Sequence, residues 1–115
     1  MNYNGFQEKR VDVRFDVPIQ VTYLDPDNDY VVQAQAKNIS AKGLGLVTNK
    51  ALIPGTILEV CLQMADNQEK IRRRCKVVWS NSLETGSIRL GVELEEPKLK
   101  PVPLVLRTIM TQRRY

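Results

Sequence analysis

The chain has 115 residues, 43% hydrophobic and 26% charged, enough for one domain whose core stands without disulfide or metal staples. Lys and Arg outnumber Asp and Glu 17 to 13, a net charge of +4 that favours an anionic ligand. There is no histidine, so the commonest general base at neutral pH and the commonest metal ligand are missing, which argues against an enzyme and against a metal or cofactor centre.

In chain order, residues 1–16 are polar and without sustained period, and read as an arm. The next runs alternate apolar and polar residues, which is the signature of half-buried strands. Val17, Ile19, Val21 and Tyr23 make the first. Tyr30, Val32, Ala34 and Ala36 make the second, and Leu44 to Val47 a short third. Leu58, Val60, Leu62 and Met64 form the fourth. Ile71, Cys75, Val77 and Trp79 share one face of the fifth. Ile88, Leu90, Val92 and Leu94 form the sixth. Turn residues such as Asp25-Pro26-Asp27-Asn28, Pro54-Gly55 and Thr85-Gly86-Ser87 bound them. Val102, Val105, Leu106, Ile109 and Met110 then recur at helical spacing, entered through Pro101 and Pro103 and closed by Arg113 and Arg114. The expectation is a mainly all-β fold: a six-stranded antiparallel β-barrel over residues 17–96, with the N-terminal arm and one C-terminal helix over 101–115.

If runs four and five form a hairpin, Val60 lies opposite Cys75 and Leu58 opposite Val77. Cys75 is then a small core residue, while Cys61 points to the outer face. The N-terminus has no apolar stretch after its charges, and no run is long enough for a membrane helix, so neither a signal peptide nor membrane insertion is expected. A reducing, cytoplasmic setting is the default expectation.

Two clusters can carry chemistry. In Arg10-Val11-Asp12-Val13-Arg14, preceded by Lys9, two arginines four apart can converge on an anion, each offering a planar fork and a flat face. Taken alone they read as solvated charges in a polar tail. In Asn38-Ile39-Ser40-Ala41-Lys42-Gly43, the apolar pattern breaks. Ala36 and Ile39 both face inward, which requires a bulge or tight turn. Asn38 and Ser40 bring donors and acceptors, and Gly43 permits close approach. Taken alone this is an ordinary polar turn.

Together, Arg-x-x-x-Arg followed by Asn-x-Ser-x-x-Gly in a small six-stranded domain resembles the PilZ family of bacterial receptor domains for cyclic di-GMP. The resemblance spans roughly residues 8 to 96. It extends to Val17-Pro18, Trp79 and Gly91-Val92-Glu93-Leu94. Lys9 stands where some members carry a third arginine, and Leu94 replaces an aromatic residue. The resemblance implies that Arg10 and Arg14 clamp the phosphates and stack on or bond a guanine, that Asn38 and Ser40 read guanine edges and phosphate, and that Gly43 lets the turn approach the base. Lys9 would add charge. It also implies a ligand-clamped arm, a changed surface read by a protein partner, and no enzymatic activity.

The remaining features read as structural. Asp25-Pro26-Asp27-Asn28-Asp29 alternates carboxylates like a calcium loop, but Tyr30 stands where that loop needs glycine, so it reads as an acidic turn. Arg72, Arg74 and Lys76 share one face of a strand, read as a solvated edge that discourages edge pairing. Trp79 reads as core or barrel rim. Two rival functions stand beside the receptor. One is a nucleic-acid-binding small barrel, favoured by the basic run but opposed by an aromatic content of only 6%. The other is a protein-interaction scaffold of the same fold that binds no ligand.

Overall fold

The computed structural model describes residues 13–95 and 99–112, the side chains of 111 and 112 excepted. Lys9, Arg10, Arg113 and Arg114 lie outside the described residues. The elements are β1 (Phe15–Leu24), β2 (Val31–Ile39), β3 (Gly43–Thr48), β4 (Ile57–Gln63), β5 (Lys70–Ser82), β6 (Ile88–Leu94) and a helix, α1 (Pro101–Gln112). The six strands pair antiparallel around a closed barrel in the order β1-β2-β3-β6-β5-β4. Closure gives every strand a neighbour on each side, so none is an edge strand.

The alternation in the sequence becomes the two faces of the barrel wall. Val17, Ile19, Val21 and Tyr23 of β1 point inward, as do Leu58, Val60 and Leu62 of β4 and Leu90, Val92 and Leu94 of β6. Each large apolar side chain so buried contributes about 1.5–3 kcal/mol. The hydroxyl of Tyr23 bonds Thr48 Oγ1 at 3.0 Å, which satisfies a polar group inside that core. Cys75 is buried and its thiol is pushed up to about 12, first by burial and then by the nearby Glu95 charge. Cys61 lies half-buried on the outer face, as the alternation predicts.

The structure departs from the sequence reading of the barrel at four places. β1 begins at Phe15, two residues before the predicted start, because Phe15 pairs with Ile39 and packs against the core. The β4–β5 hairpin pairs Leu58 with Cys75 and Val60 with Arg73, two residues away from the predicted register. The turn closes earlier, where Met64 N donates to Glu69 O, and a two-residue slip leaves every side chain on its predicted face. Arg72, Arg74 and Lys76 are exposed, but on an interior strand of the closed barrel: β5 lies between β4 and β6, with the β6 ladder running only from Cys75 onward. Trp79 is the fourth departure. A bulge between Val77 and Trp79 swings the indole to the outside, where it is 42% exposed.

Helix α1 lies against the barrel, though not on its most apolar stripe. Leu104, Val105 and Thr108 are buried, whereas Val102, Leu106, Ile109 and Met110 are exposed. Arg107 sets this rotation. Its Nε and Nη2 each donate to an Asp66 carboxylate oxygen at 2.8 Å, and its Nη1 lies 2.9 Å from Glu69 Oε1. The β4–β5 turn thus holds the helix by one flank.

Asp25 is the acidic turn's surprise: its carboxylate is fully buried. It accepts bonds from Lys50 Nζ at 2.7 Å and from the backbone N–H of Asp27 at 2.8 Å. Lys50, then these N–H donors, hold it down to about 2, below the ordinary 3.8. A carboxylate depressed in the fold stabilises it above the unfolded value and loses that contribution as pH falls through the folded one. Melting temperature should therefore drop between about pH 4 and pH 2. Asp25→Asn should lower it at neutral pH and flatten that slope. An unchanged slope by scanning calorimetry would show that the pair is inert.

Candidate functional site

The predicted bulge forms where expected. The β2–β3 register shifts between Ala36 and Asn38, and Ala36 and Ile39 are both fully buried. That shift leaves Asn38 on the outer face, half-buried and opposite Gly45. Its amide lies across Gly45: a Cβ there would come within 2.7 Å of Nδ2. Only glycine accommodates this cover, which explains why β3 is buried even on its outer face.

Ser40 and Gly43 build the turn that follows. Ser40 N donates to Gly43 O at 2.9 Å, and Ser40 Oγ accepts from Gly43 N at 3.0 Å and Lys42 N at 3.3 Å. Ser40 is fully buried, so its hydroxyl shapes the turn from within. Gly43 passes the backbone of β6 so closely that a Cβ would strike Val92 O. The turn is also tied down from outside, since Leu94 N donates to Lys42 O at 2.7 Å.

Arg14 enters this cluster from the start of β1, where Asp16 pairs with Asn38. Its Nη1 donates to Asn38 Oδ1 at 2.6 Å, and its Nη2 stands 3.5 Å from where a Gly43 Cβ would be. Residues 24 apart in sequence thus meet on one outer patch. Of the residues that the resemblance singles out, the structure brings Arg14, Asn38, Ser40 and Gly43 together; Lys9 and Arg10 lie outside the described residues.

Trp79 belongs to the same patch. One row of paired residues crosses four strands: Asn38, Gly45, Gly91 and Trp79. The indole lies across Gly91, where a Cβ would collide with it, as the Asn38 amide lies across Gly45. A guanidinium, an amide and an exposed aromatic ring therefore share one surface over a pair of glycines. Such a surface can bond an anion and stack a flat base. The sequence reading placed Trp79 in the core or at the rim; the usable signal was Gly91 inside a strand, since glycine there marks close approach.

The patch differs from the groove of about 610 Å³ on the outer face of β1, β2, β4 and β5, which Leu24, Val31, Ile57, Cys61 and Arg72 help to line. Among the described residues, no group of acidic, cysteine or histidine side chains could hold a metal ion, and no helix is long and apolar enough to cross a membrane.

Comparison with known proteins agrees with this fold. The family model for the PilZ domain matches residues 8–102. The PilZ domain of YcgR from Escherichia coli, solved with c-di-GMP, superposes with a TM-score of 0.66 at 12% identity, over 90% of either chain. YcgR in complex with c-di-GMP, also from Escherichia coli, gives 0.67 at 13% identity, over 92% of this chain and 46% of that one. The Bacillus subtilis inhibitor of motility MotI/DgrA gives 0.66 at 18% identity, over 90% of this chain and 51% of that one. The chain thus spans about half the length of MotI and of the larger YcgR chain. At these identities the likeness is one of fold. No curated protein matches.

Proposed function

The chain belongs to the PilZ domain family, and from that premise we propose that it is a receptor for cyclic di-GMP. The observation that carries this reading is the meeting of Arg14 with Asn38 beside Gly43, across 24 residues of sequence. The ligand offers two phosphate charges and two flat bases. Arg14 and Arg10 take the phosphates as forked, charge-assisted donors. Arg14 is already held by Asn38, so little freedom remains to be lost on binding. Asn38 presents its amide to a guanine edge. Ser40 acts through the turn it braces, and Gly43 keeps that turn against β6. Trp79 supplies the aromatic surface for a base, and Lys9 adds charge. Binding draws the segment carrying Lys9 and Arg10 onto the barrel face and so alters a surface that a protein partner reads. The function is recognition and signalling, with no chemical step.

A calorimetric titration with cyclic di-GMP, GMP and GTP tests the reading. Cyclic di-GMP should bind much more tightly than either mononucleotide, because only it engages two guanines and two linked phosphates together. Comparable affinity for GMP rejects the proposal. Trp79 is the only tryptophan in the chain, so its fluorescence should change in step with the heat, and Trp79→Leu should weaken binding by about 1–3 kcal/mol, the worth of one base–aromatic stack.

A further inference from the structure

Arg89 stands on the outer face of β6, two residues before Gly91, and pairs with Val47 on one side and Asn81 on the other. That row of residues runs directly beside the row of Asn38, Gly45, Gly91 and Trp79. The side chain is half-buried, and its Nε is shut off from solvent with no hydrogen-bond partner. No ion pair holds its guanidinium among the described residues. A desolvated, unpaired donor of this kind is costly unless something supplies an acceptor. Arg14 has Asn38, Arg74 has Glu95 and Arg107 has Asp66 as acceptors, whereas Arg73 Nε is likewise shut off without a partner, on a row with Val60 of β4 rather than beside the glycine pair.

We propose that Arg89 is a specificity residue of the ligand patch, forking onto the O6 and N7 acceptors of a guanine seated against Trp79. The inference rests on the cyclic di-GMP reading and deepens it. The position decides between base and phosphate. Arg14 and the Asn38–Gly43 turn hold the anion at the β1–β2–β3 side of the patch. Arg89 lies at the opposite side, beside Gly91 and the indole, where a base projecting from the phosphates arrives. Two parallel N–H donors match guanine, whose O6 and N7 both accept. Adenine presents an N6 donor in place of O6, so the same fork meets one acceptor and one repelling donor.

The test is the ratio of affinities for cyclic di-GMP and cyclic di-AMP in the full chain, measured by calorimetry for wild type, Arg89→Ala and Arg89→Lys. Wild type should prefer the guanine ligand strongly. Arg89→Ala should lower that preference about tenfold or more, chiefly by weakening cyclic di-GMP binding. Arg89→Lys keeps the charge and loses the fork, so it should not restore the preference. Its fold is the less disturbed of the two, and it decides the matter should Arg89→Ala fail to fold. An unchanged preference in either variant overturns the role of Arg89 while leaving the receptor reading intact. A wild-type protein that ignores cyclic di-GMP rejects the receptor reading itself, and this inference with it.

Discussion

Arg14→Ala should weaken cyclic di-GMP binding at least tenfold and leave the barrel folded. The guanidinium makes charge-assisted bonds worth about 1.5–3 kcal/mol each, and about 1.4 kcal/mol is a factor of ten. It also sets the Asn38 amide through the 2.6 Å bond to Oδ1, so its loss frees the second group that the proposed function assigns to the ligand. Arg14 itself is exposed at the start of β1, outside the core, so thermal stability should barely move. Arg10→Ala should weaken binding to a similar degree, since the proposed function has the two arginines engage the same phosphates. Calorimetry and a melting curve on each variant check both halves of the expectation. Wild-type affinity, or a collapsed fold, would reject the assignment of that arginine.

Gly43→Val should do the reverse, losing stability and binding together. A Cβ at this position meets Val92 O of the paired strand, and a backbone carbonyl cannot swing aside as a flexible side chain can. Either β3 separates from β6 locally or the Ser40 turn reshapes. Forcing atoms into a packed site costs about 1–3 kcal/mol. In a domain of this size that lowers the melting temperature by roughly 5–20 °C. Because Gly43 N donates to Ser40 Oγ and Gly43 O accepts from Ser40 N, the turn that carries the candidate site is disturbed with the ladder. A variant that melts and binds like wild type would show that the turn tolerates the change. A variant that melts lower yet binds normally would separate the turn's structural role from its ligand role.

Much of this protein is written locally in its chain. The period-two runs identify the strands, because a barrel wall one side chain thick needs one apolar and one polar face. The broken alternation at Asn38 marks the bulge, because Ala36 and Ile39 cannot both face inward on a regular strand. The arginine pair and the Asn-x-Ser-x-x-Gly turn, each an ordinary polar feature by itself, point to a ligand only through their joint resemblance to the PilZ family. What the chain could not state locally were the outcomes of competition between distant segments. The hairpin register was settled by the turn at Met64 and Glu69, and a slip of two residues is invisible to a pattern of period two. The bulge that sends Trp79 outward depends on how β5 must bend to pair with β6, so alternation alone placed the indole on the wrong face. The apolar stripe of α1 gave the helix but not its rotation, which Arg107 fixes by reaching Asp66 in the β4–β5 turn, about 40 residues earlier. Asp25 looked like a surface carboxylate until Lys50, brought up from the end of β3, made its burial affordable. Arg89 carried no local signal at all. Its place in the row beside that of Trp79 exists only because barrel closure sets β6 between β3 and β5, and the tertiary fold alone leaves its Nε without a partner there.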